Sequence, residues 1–332
     1  MSGITPVTVL TGFLGSGKTT LLARLLRDPG FADTAVLVNE WGEAGIDHAL
    51  VREARGDVVL LAGGCVCCRV AGDVVRALRE LHFQRAERRI PAFSRAVIET
   101  TGLADPGPLV ATLVEMPLAA VRYSLAGVAT TLDAEHGVAS LEAHPESVAQ
   151  VAMADRLVVT KADRAGPAAV EAATRRMIEI NPGAPWRLAA DVDAGWLLSS
   201  GLHRGAARAP DARGWLNAGA YASFARPARH DGIASFAWRR EEPASWADVE
   251  SALEAVLELC GERLLRLKGL VAVEGEAGPR AVHAVRHTLY PSARLPDWPD
   301  GDRGTRIVFI ARHLESAQIA RILESFLPPA PP

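Results

Sequence analysis

The chain has 332 residues, of which 49% are hydrophobic and 23% are charged, and its formal net charge is −3. This length and composition are typical of a globular protein with room for two domains. The small negative charge argues against nucleic-acid binding, which needs a basic surface to contact phosphates. No apolar run is long enough to span a bilayer, and no basic residue precedes the apolar residues 7–14. We therefore expect neither a membrane segment nor a secretion signal.

Apolar runs alternate with amphipathic stretches through the first two thirds of the chain. Helical spacing of apolar residues predicts helices at residues 18–27, 70–85 and 168–180. Strands that alternate with helices favour an α/β fold with a mostly parallel sheet and helices on both faces. The apolar runs that predict these strands are residues 6–10, 34–38, 57–61, 95–98, 125–132 and 156–160.

Beyond residue 201 the pattern changes twice. Residues 201–231 are rich in Ala, Gly, Arg and Pro, which is typical of a linker or an irregular joint. After it we predict a smaller α+β domain, because strands now adjoin strands. Ser245 is expected to cap a helix that runs to Cys260, with Asp248 in its first turn. The other elements predicted there are strands at 232–238, 264–273, 281–289 and 305–311, and a helix at 314–326.

The sequence GFLGSGKT that begins at Gly12 matches the phosphate-loop pattern G-x-x-x-x-G-K-[ST]. Its glycines let backbone N–H groups converge on phosphate oxygens, and the next helix points its positive end at them. Lys18 is predicted to reach the β and γ phosphates, and the Thr19 hydroxyl to coordinate Mg²⁺. A chance glycine-rich turn is the alternative, but the flanking strand and helix favour phosphate binding. The predicted nucleotide-binding residues here are Gly12, Gly15, Ser16, Gly17, Lys18, Thr19 and Thr20.

The base is predicted from the stretch Thr160-Lys161-Ala-Asp163, which lies at the end of a predicted strand. GTPases read guanine with an N-K-x-D motif at this place, and its carboxylate accepts hydrogen bonds from guanine that adenine cannot donate. Lys161 and Asp163 are present, whereas Thr160 replaces the asparagine. An ordinary helix cap at Asp163 is the alternative, and we favour guanine.

A second acidic position follows another predicted strand, at Glu99 in the stretch AVIETTG. A carboxylate at such a strand end can hold Mg²⁺ directly or through water, and the N–H group of Gly102 could contact the γ phosphate. A buried strand with a solvent-exposed glutamate at its tip is the alternative. The phosphate loop favours the Mg²⁺ interpretation.

Three of the four cysteines are clustered at Cys65, Cys67 and Cys68, whereas Cys260 stands alone. A secreted disulfide framework would spread its cysteines along the chain, so we expect a cytoplasmic protein. Three thiolates can bind Zn²⁺ or Co²⁺ and leave a fourth position for another ligand. A redox pair or inert buried thiols remain as alternatives. Cys260 is predicted to lie in the core.

Together these motifs resemble the CobW family of P-loop GTPases. The chain also resembles the C-terminal domain of this family in RLLRLKGLVAV at Arg263, in Trp298 and in RIVFIARHL at Arg306. The resemblance thus covers the chain nearly end to end. The N-terminal motifs that carry it, in order, are GFLGSGKTT at Gly12, NEWGEAGID at Asn39, GGCVCC at Gly63, ETTGLADP at Glu99 and TKAD at Thr160.

The resemblance implies GTP binding, slow hydrolysis, and a transition metal held by the three clustered cysteines. It also implies that residues 39–47 are a nucleotide-sensitive switch in which Glu40 lies near the metal ions. The chain departs from the family in Trp41 and in having its nine histidines scattered, without a histidine-rich loop. The catalytic residues are thus predicted to be Lys18, Glu40, Glu99 and Gly102, and the metal ligands Cys65, Cys67, Cys68, Thr19, Glu40 and Glu99.

The sequence therefore predicts a metallochaperone with GTPase activity, which passes Zn²⁺ or Co²⁺ to a client protein in a nucleotide-dependent way. Its cofactors are GTP and Mg²⁺, and a homodimer is possible. A metal or redox sensor without delivery, and a P-loop small-molecule kinase, are the alternative functions. We expect a P-loop GTPase domain at residues 1–212, a linker at 213–230 and a C-terminal domain at 231–332.

Overall fold

The computed structural model describes residues 4–38, 59–62, 70–115, 122–198, 216–217 and 232–327. The chain divides into two compact units. None of the described helices is both long and apolar enough to cross a membrane. The first unit comprises Met1–Arg176 with Pro185–Arg208, and the second comprises Met177–Ala184 with Ala209–Pro332.

A parallel sheet forms the centre of the first unit. In the described residues it has seven strands in the order β3-β2-β4-β1-β5-β6-β7, and every neighbouring pair is parallel. The strands are β1 (Thr5–Gly12), β2 (Thr34–Val38), β3 (Val59–Ala62), β4 (Arg95–Glu99), β5 (Tyr123–Asp133), β6 (Arg156–Thr160) and β7 (Trp186–Leu188).

Helices connect these strands and cover both faces of the sheet. The helices before residue 199 are α1 (Lys18–Leu25), α2 (Val70–Ala86), α3 (Gly107–Glu115), α4 (Gly137–Ala143), α5 (Pro145–Met153), α6 (Ala162–Ile180) and α7 (Ala194–Leu198). Leu10 of β1 and Val158 of β6 pack in one core with Leu22 of α1 and Leu197 of α7. The helices α3 and α5 contact β5, and α5 also contacts β1. Because successive strand residues point to opposite faces, each strand can pack against helices on both sides of the sheet. The predicted α/β fold with a parallel sheet is confirmed.

One helix predicted in this unit needs correction, and several elements were not predicted. The helix predicted at 168–180 begins at Ala162, with a kink at Gly166, whose φ of 76° lies outside the helical region, followed by Pro167. The sequence pattern identified only the segment after this kink. The helices α3, α4, α5 and α7 and the short strand β7 were not predicted, because their short apolar stretches show no sustained period.

The second unit contains an antiparallel sheet with the order β11-β10-β9-β13-β8 and with β12 paired to β10. Two helices, α8 (Trp246–Cys260) and α9 (Ser316–Phe326), share one apolar core with this sheet. The predicted α+β C-terminal fold is confirmed. Its strands are β8 (Ile233–Arg240), β9 (Leu264–Val271), β10 (Arg280–Val285), β11 (Thr288–Leu289), β12 (Ala293–Arg294) and β13 (Thr305–Arg312).

The ends of α8 follow the sequence prediction, whereas the strand predicted at 281–289 does not. The Ser245 hydroxyl accepts a hydrogen bond from the backbone N–H of Asp248 at 3.2 Å and caps the helix. The chain between β10 and β11 turns at Arg286, whose φ is 51°, so the two strands pair antiparallel as a hairpin. An arginine in this left-handed conformation gives no turn signal in the sequence.

Candidate functional site

The candidate site lies at the carboxyl edge of the parallel sheet, where loops from neighbouring strands meet. The phosphate loop connects the end of β1 at Gly12 to the start of α1 at Lys18. Gly12 has a φ of 146°, and a Cβ atom there would lie 2.5 Å from the carbonyl oxygen of Thr131. Gly17 caps α1 with a φ of 84°. Both positions therefore require glycine.

Lys18 lies inside this loop and is 6% exposed. Its ammonium group donates hydrogen bonds to the carbonyl oxygens of Gly12 at 2.9 Å and Phe13 at 3.1 Å. The first turn of α1 carries no acidic residue, so the positive end of the helix dipole is not neutralised locally. The loop thus combines a cation, a helix N-terminus and close-packed glycines, which is the chemistry that phosphate binding needs.

Hydroxyl groups tie the phosphate loop to the ends of β5 and β6. The hydroxyls of Ser16 and Thr131 are 2.7 Å apart. The Thr160 hydroxyl donates to the carbonyl oxygen of Ser16 at 2.7 Å. Thr160, which replaces the asparagine of N-K-x-D, therefore links the predicted base-recognition segment to the phosphate loop. Thr131 was not predicted as a site residue, and its place at the end of an apolar strand was the only sequence signal.

The predicted Mg²⁺ ligands are hydrogen-bonded to each other. The Thr19 hydroxyl donates to Oε1 of Glu99 at 2.6 Å, and Glu99 is 3% exposed at the end of β4. A buried carboxylate beside a hydroxyl at the start of α1 supplies the hard oxygen ligands that Mg²⁺ prefers. The residues present therefore fit Mg²⁺, and the carboxylate is not the exposed tip of a strand.

Gly102 packs directly on the phosphate loop. A Cβ atom at this position would lie 2.6 Å from the backbone nitrogen of Leu14 and 2.7 Å from its Cα atom. The turn after Glu99 is thus in van der Waals contact with the loop that would hold the phosphates. The Gln150 side-chain amide donates to the carbonyl oxygens of Gly102 at 3.1 Å and Ala104 at 2.9 Å. Gln150 carried no sequence signal, because it lies on α5 far from these residues in the chain.

The segment predicted to recognise the base begins at the end of β6. Lys161 has a left-handed φ of 55°. Its ammonium group lies 3.6 Å from a carboxylate oxygen of Asp133 and 3.9 Å from one of Glu135. Asp163 is exposed in the first turn of α6, and Thr20 is exposed on α1. The two acidic partners of Lys161 were not predicted from the sequence.

Several predicted site residues lie outside the described part of the chain. They are Glu40 with the whole segment 39–47, and the cysteines Cys65, Cys67 and Cys68. Among the described residues, no group of three or more His, Cys, Asp and Glu side chains is arranged to hold a metal ion. Cys260 is 3% exposed in the C-terminal core, as predicted, and burial raises the pKa of its thiol.

Comparisons with known proteins extend over both units. Residues 6–187 match the family described as CobW/HypB/UreG, nucleotide-binding domain, and residues 233–327 match the cobalamin synthesis protein cobW C-terminal domain. The zinc chaperone YjiA of Escherichia coli is 31% identical over 94% of this chain and 96% of its own length. The zinc chaperone CobW of Pseudomonas aeruginosa is 32% identical over 97% of this chain and 91% of its own.

A solved structure agrees with these matches. The crystal structure of Zn(II)-bound YjiA GTPase from Escherichia coli superimposes with a TM-score of 0.73 at 27% identity, and covers 98% of this chain and 99% of that one. The family predicted from the sequence motifs is confirmed, and with it the GTPase class. The chain therefore belongs to the CobW/HypB/UreG family of nucleotide-binding proteins and carries the CobW C-terminal domain.

Proposed function

We propose that this protein binds GTP with Mg²⁺, hydrolyses it slowly, and couples this cycle to holding and delivering a transition metal. Cys65, Cys67 and Cys68 hold the metal, which is Zn²⁺ in preference to Co²⁺, and a client protein receives it. The observation that carries the proposal is that two strand ends are aligned at one edge of the sheet, with only β2 between them. One is the end of β4 at Glu99, and the other is the end of β3, which leads to the cysteines.

The alignment follows from the register of the parallel sheet. Val38 at the end of β2 pairs with Glu99 on one side and with Ala62 on the other. Neighbouring strands are about 4.8 Å apart, so Ala62 lies on the order of 10 Å from the carboxylate strand end. Cys65 follows Ala62 by three positions in the sequence. This short separation supports a coupling between the nucleotide and the metal.

The described residues also support GTP and Mg²⁺ as ligands. Lys18 and the N-terminus of α1 neutralise phosphate charge, and Thr19 and Glu99 supply oxygen ligands to the metal. When bound, Mg²⁺ neutralises charge that develops on the β and γ phosphate oxygens. Asp163 accepts hydrogen bonds from the guanine donors, and the ammonium group of Lys161 is held by Asp133 and Glu135. Slow hydrolysis is expected of a GTPase that relies on a partner to complete its site.

Zinc as the cargo is supported by the relatives that are named zinc chaperones and by the chemistry of thiolates, which suit Zn²⁺. Three thiolates leave the fourth tetrahedral position to another ligand, and a client can use that position to take the metal. GTP acts through the γ phosphate on residues 39–47, the proposed nucleotide-sensitive switch, and thereby strengthens metal binding.

The deciding experiment measures Zn²⁺ and Co²⁺ affinity by competition with a chromogenic chelator, with Mg²⁺ and a GTP analogue, GDP or no nucleotide. We expect the analogue to tighten Zn²⁺ binding by about ten-fold, and zinc to raise the affinity for the analogue by the same factor, because linkage is reciprocal. Equal metal affinity in the three states would contradict the coupling.

Two cysteine variants provide a matched pair for the same assay. Cys67→Ser removes one proposed ligand and is expected to weaken Zn²⁺ binding by about ten-fold or more, without changing the affinity of the metal-free protein for GTP. Cys260→Ser is expected to leave Zn²⁺ binding unchanged, because that thiol is buried in the C-terminal core and its raised pKa keeps it protonated. Unchanged zinc affinity in the Cys67 variant would remove the cysteine cluster from the proposal.

A further inference from the structure

Gln150 connects the turn after Glu99 to the body of the first unit. Its side chain is fully buried on α5, and its amide donates to the carbonyl oxygens of Gly102 and Ala104 at 3.1 and 2.9 Å. Both acceptors belong to the segment between Glu99 and the start of α3 at Gly107. The amide therefore fixes two peptide groups of this turn with one side chain.

Only one orientation of the Gln150 side-chain amide is compatible with these two contacts. If the Gln150 amide were rotated by 180°, its oxygen would face two carbonyl oxygens and the contacts would be repulsive. In the orientation present, Oε1 has no hydrogen-bond partner among the described residues. A buried acceptor without a partner costs free energy. The side chain is thus used for its two donors at the expense of its acceptor, which is typical of a position under functional constraint.

The same helix also contacts the phosphate loop. His144, which directly precedes α5, stacks on Phe13 with ring centroids 4.4 Å apart and planes inclined by 21°. Gly102 in turn lies against the backbone of Leu14. His144, just before α5, thus contacts Phe13 of the phosphate loop. Gln150, in the middle of α5, holds the turn whose Gly102 packs on Leu14. These contacts link the phosphate loop, the turn and α5 within one unit.

We propose that Gln150 is a positioning residue for recognition of the γ phosphate. By holding the turn that contains Gly102 against the phosphate loop, it sets the preference of the site for GTP over GDP. GDP lacks the phosphate that reaches this turn, so its binding does not depend on the amide. The inference rests on the proposed function, because it requires that the chain bind GTP.

The test compares the wild type with Gln150→Met and Thr130→Val by competition with a fluorescent GDP analogue. Gln150→Met keeps the side-chain volume and removes both donors. Thr130→Val is the control, because the Thr130 hydroxyl donates to the Gln150 backbone carbonyl at 2.7 Å and not to the turn. We expect the methionine variant to lose about ten-fold affinity for a nonhydrolysable GTP analogue, with GDP affinity within about two-fold of wild type.

The control is expected to keep the wild-type ratio of the two affinities. In turnover, Gln150→Met should lower kcat/KM for GTP while the inhibition constant of GDP stays the same. An equal loss for both nucleotides, or no loss, would overturn the inference. If Gln150→Met does not bind GDP and has lost its fold, Gln150→Asn is used, because its amide stays polar but is one methylene too short to reach both carbonyl oxygens. It must show the same selective loss.

The wild-type measurement separates the two proposals. A wild type that binds no GTP would overturn the proposed function and this inference together. If the wild type prefers the GTP analogue over GDP and Gln150→Met shows the same preference, the inference alone is overturned.

Discussion

The two sheets of this protein place their buried charged side chains differently. In the parallel sheet, the buried charged residues of the described strands are Glu99 and Asp133, which are the last residues of β4 and β5. In the antiparallel sheet, the buried Arg266 and Lys268 lie within β9, on either side of Leu267, which packs in the core with α8 and α9. Successive strand residues alternate in direction, so these two cations share the opposite face of the sheet.

The difference follows from the connections between the strands. Parallel crossovers bring every carboxyl end to the same edge, so polar residues from distant parts of the chain meet there. Antiparallel hairpins send successive strand ends to opposite edges, and no such convergence arises. We therefore expect substitutions at the edge of the first sheet to change ligand binding, and substitutions on the second sheet to change stability.

The largest effect is expected for Lys18→Ala. Removal of the ammonium group takes away charge-assisted hydrogen bonds to phosphate, each contributing about 1.5–3 kcal/mol, so affinity for GTP and GDP should fall by about 100-fold or more. Titration with a fluorescent GDP analogue measures the loss, and circular dichroism shows whether the fold persists. Arg175→Ala, which removes an exposed guanidinium paired with Glu171, is the control and should bind normally. Normal binding by the Lys18 variant would contradict the phosphate-loop assignment.

The opposite result is expected for Arg306→Met in the second sheet. The Arg306 guanidinium donates to both carboxylate oxygens of Asp300, at 2.8 and 2.9 Å, and its side chain is 5% exposed. Loss of this pair should lower the free energy of unfolding by about 2–3 kcal/mol, because a half-buried carboxylate is left behind. Urea denaturation measures the change, and GDP affinity should stay the same.

Arg239→Met is the control for that variant. Arg239 pairs with Asp302 at 3.1 Å, and its side chain is 59% exposed. Such a surface pair contributes little to stability, so we expect Arg239→Met to lower the free energy of unfolding by less than about 1 kcal/mol. If the Arg306 variant lost nucleotide affinity and kept its stability, the contrast between the two sheets would be wrong.

A smaller effect is expected for Thr160→Val, which keeps the side-chain shape and removes the hydroxyl. The Ser16 carbonyl oxygen then loses its donor, at a cost of about 1 kcal/mol, and affinity for both GTP and GDP should fall by about five-fold. Isothermal titration measures both nucleotides. Thr112→Val removes a hydroxyl that bonds within α3 and should leave both affinities unchanged. A loss for GTP alone would mean that Thr160 acts on the γ phosphate and not on the loop.

The smallest effect concerns Asp28, at the edge of the first unit. Hydrogen bonds from the backbone N–H groups of Ala194 and Gly30 hold the pKa of the Asp28 carboxyl below its ordinary value of 3.8. A lowered folded-state pKa contributes stability that is present above the ordinary value and is lost as pH falls through the folded value. Asp28→Asn should therefore cost about 0.5–1 kcal/mol at pH 7 and less at pH 3. Thermal unfolding of the wild type and the variant at both pH values measures this difference in stability. An equal difference at pH 7 and pH 3 would contradict a lowered pKa for Asp28.

The features that the sequence predicts well are local in the chain. The phosphate loop needs glycines and a lysine within eight residues, and the cap at Ser245 needs only the residues that follow it. Both patterns are visible because their physical causes lie inside one short window. The alternation of strands with helices is likewise a local pattern, and it predicted the parallel sheet.

The contacts that complete the candidate site are long-range, and they could not be predicted in this way. Thr131 meets Ser16 across 115 positions, and Gln150 meets Gly102 across 48. Nothing in the immediate surroundings of a threonine or a glutamine indicates such a partner. The β10–β11 hairpin was missed for a related reason, because Arg286 takes a left-handed conformation that the surrounding structure imposes.

The hydroxyl contacts among Ser16, Thr131 and Thr160 have a consequence for the entropy of ligand binding. They fix the phosphate loop to the ends of β5 and β6 through contacts within the protein. A loop that is ordered in advance loses little conformational freedom when a ligand arrives. Nucleotide association is therefore expected to be limited by diffusion and orientation, with no slow rearrangement of this loop, so the affinity of the site is regulated through the dissociation rate.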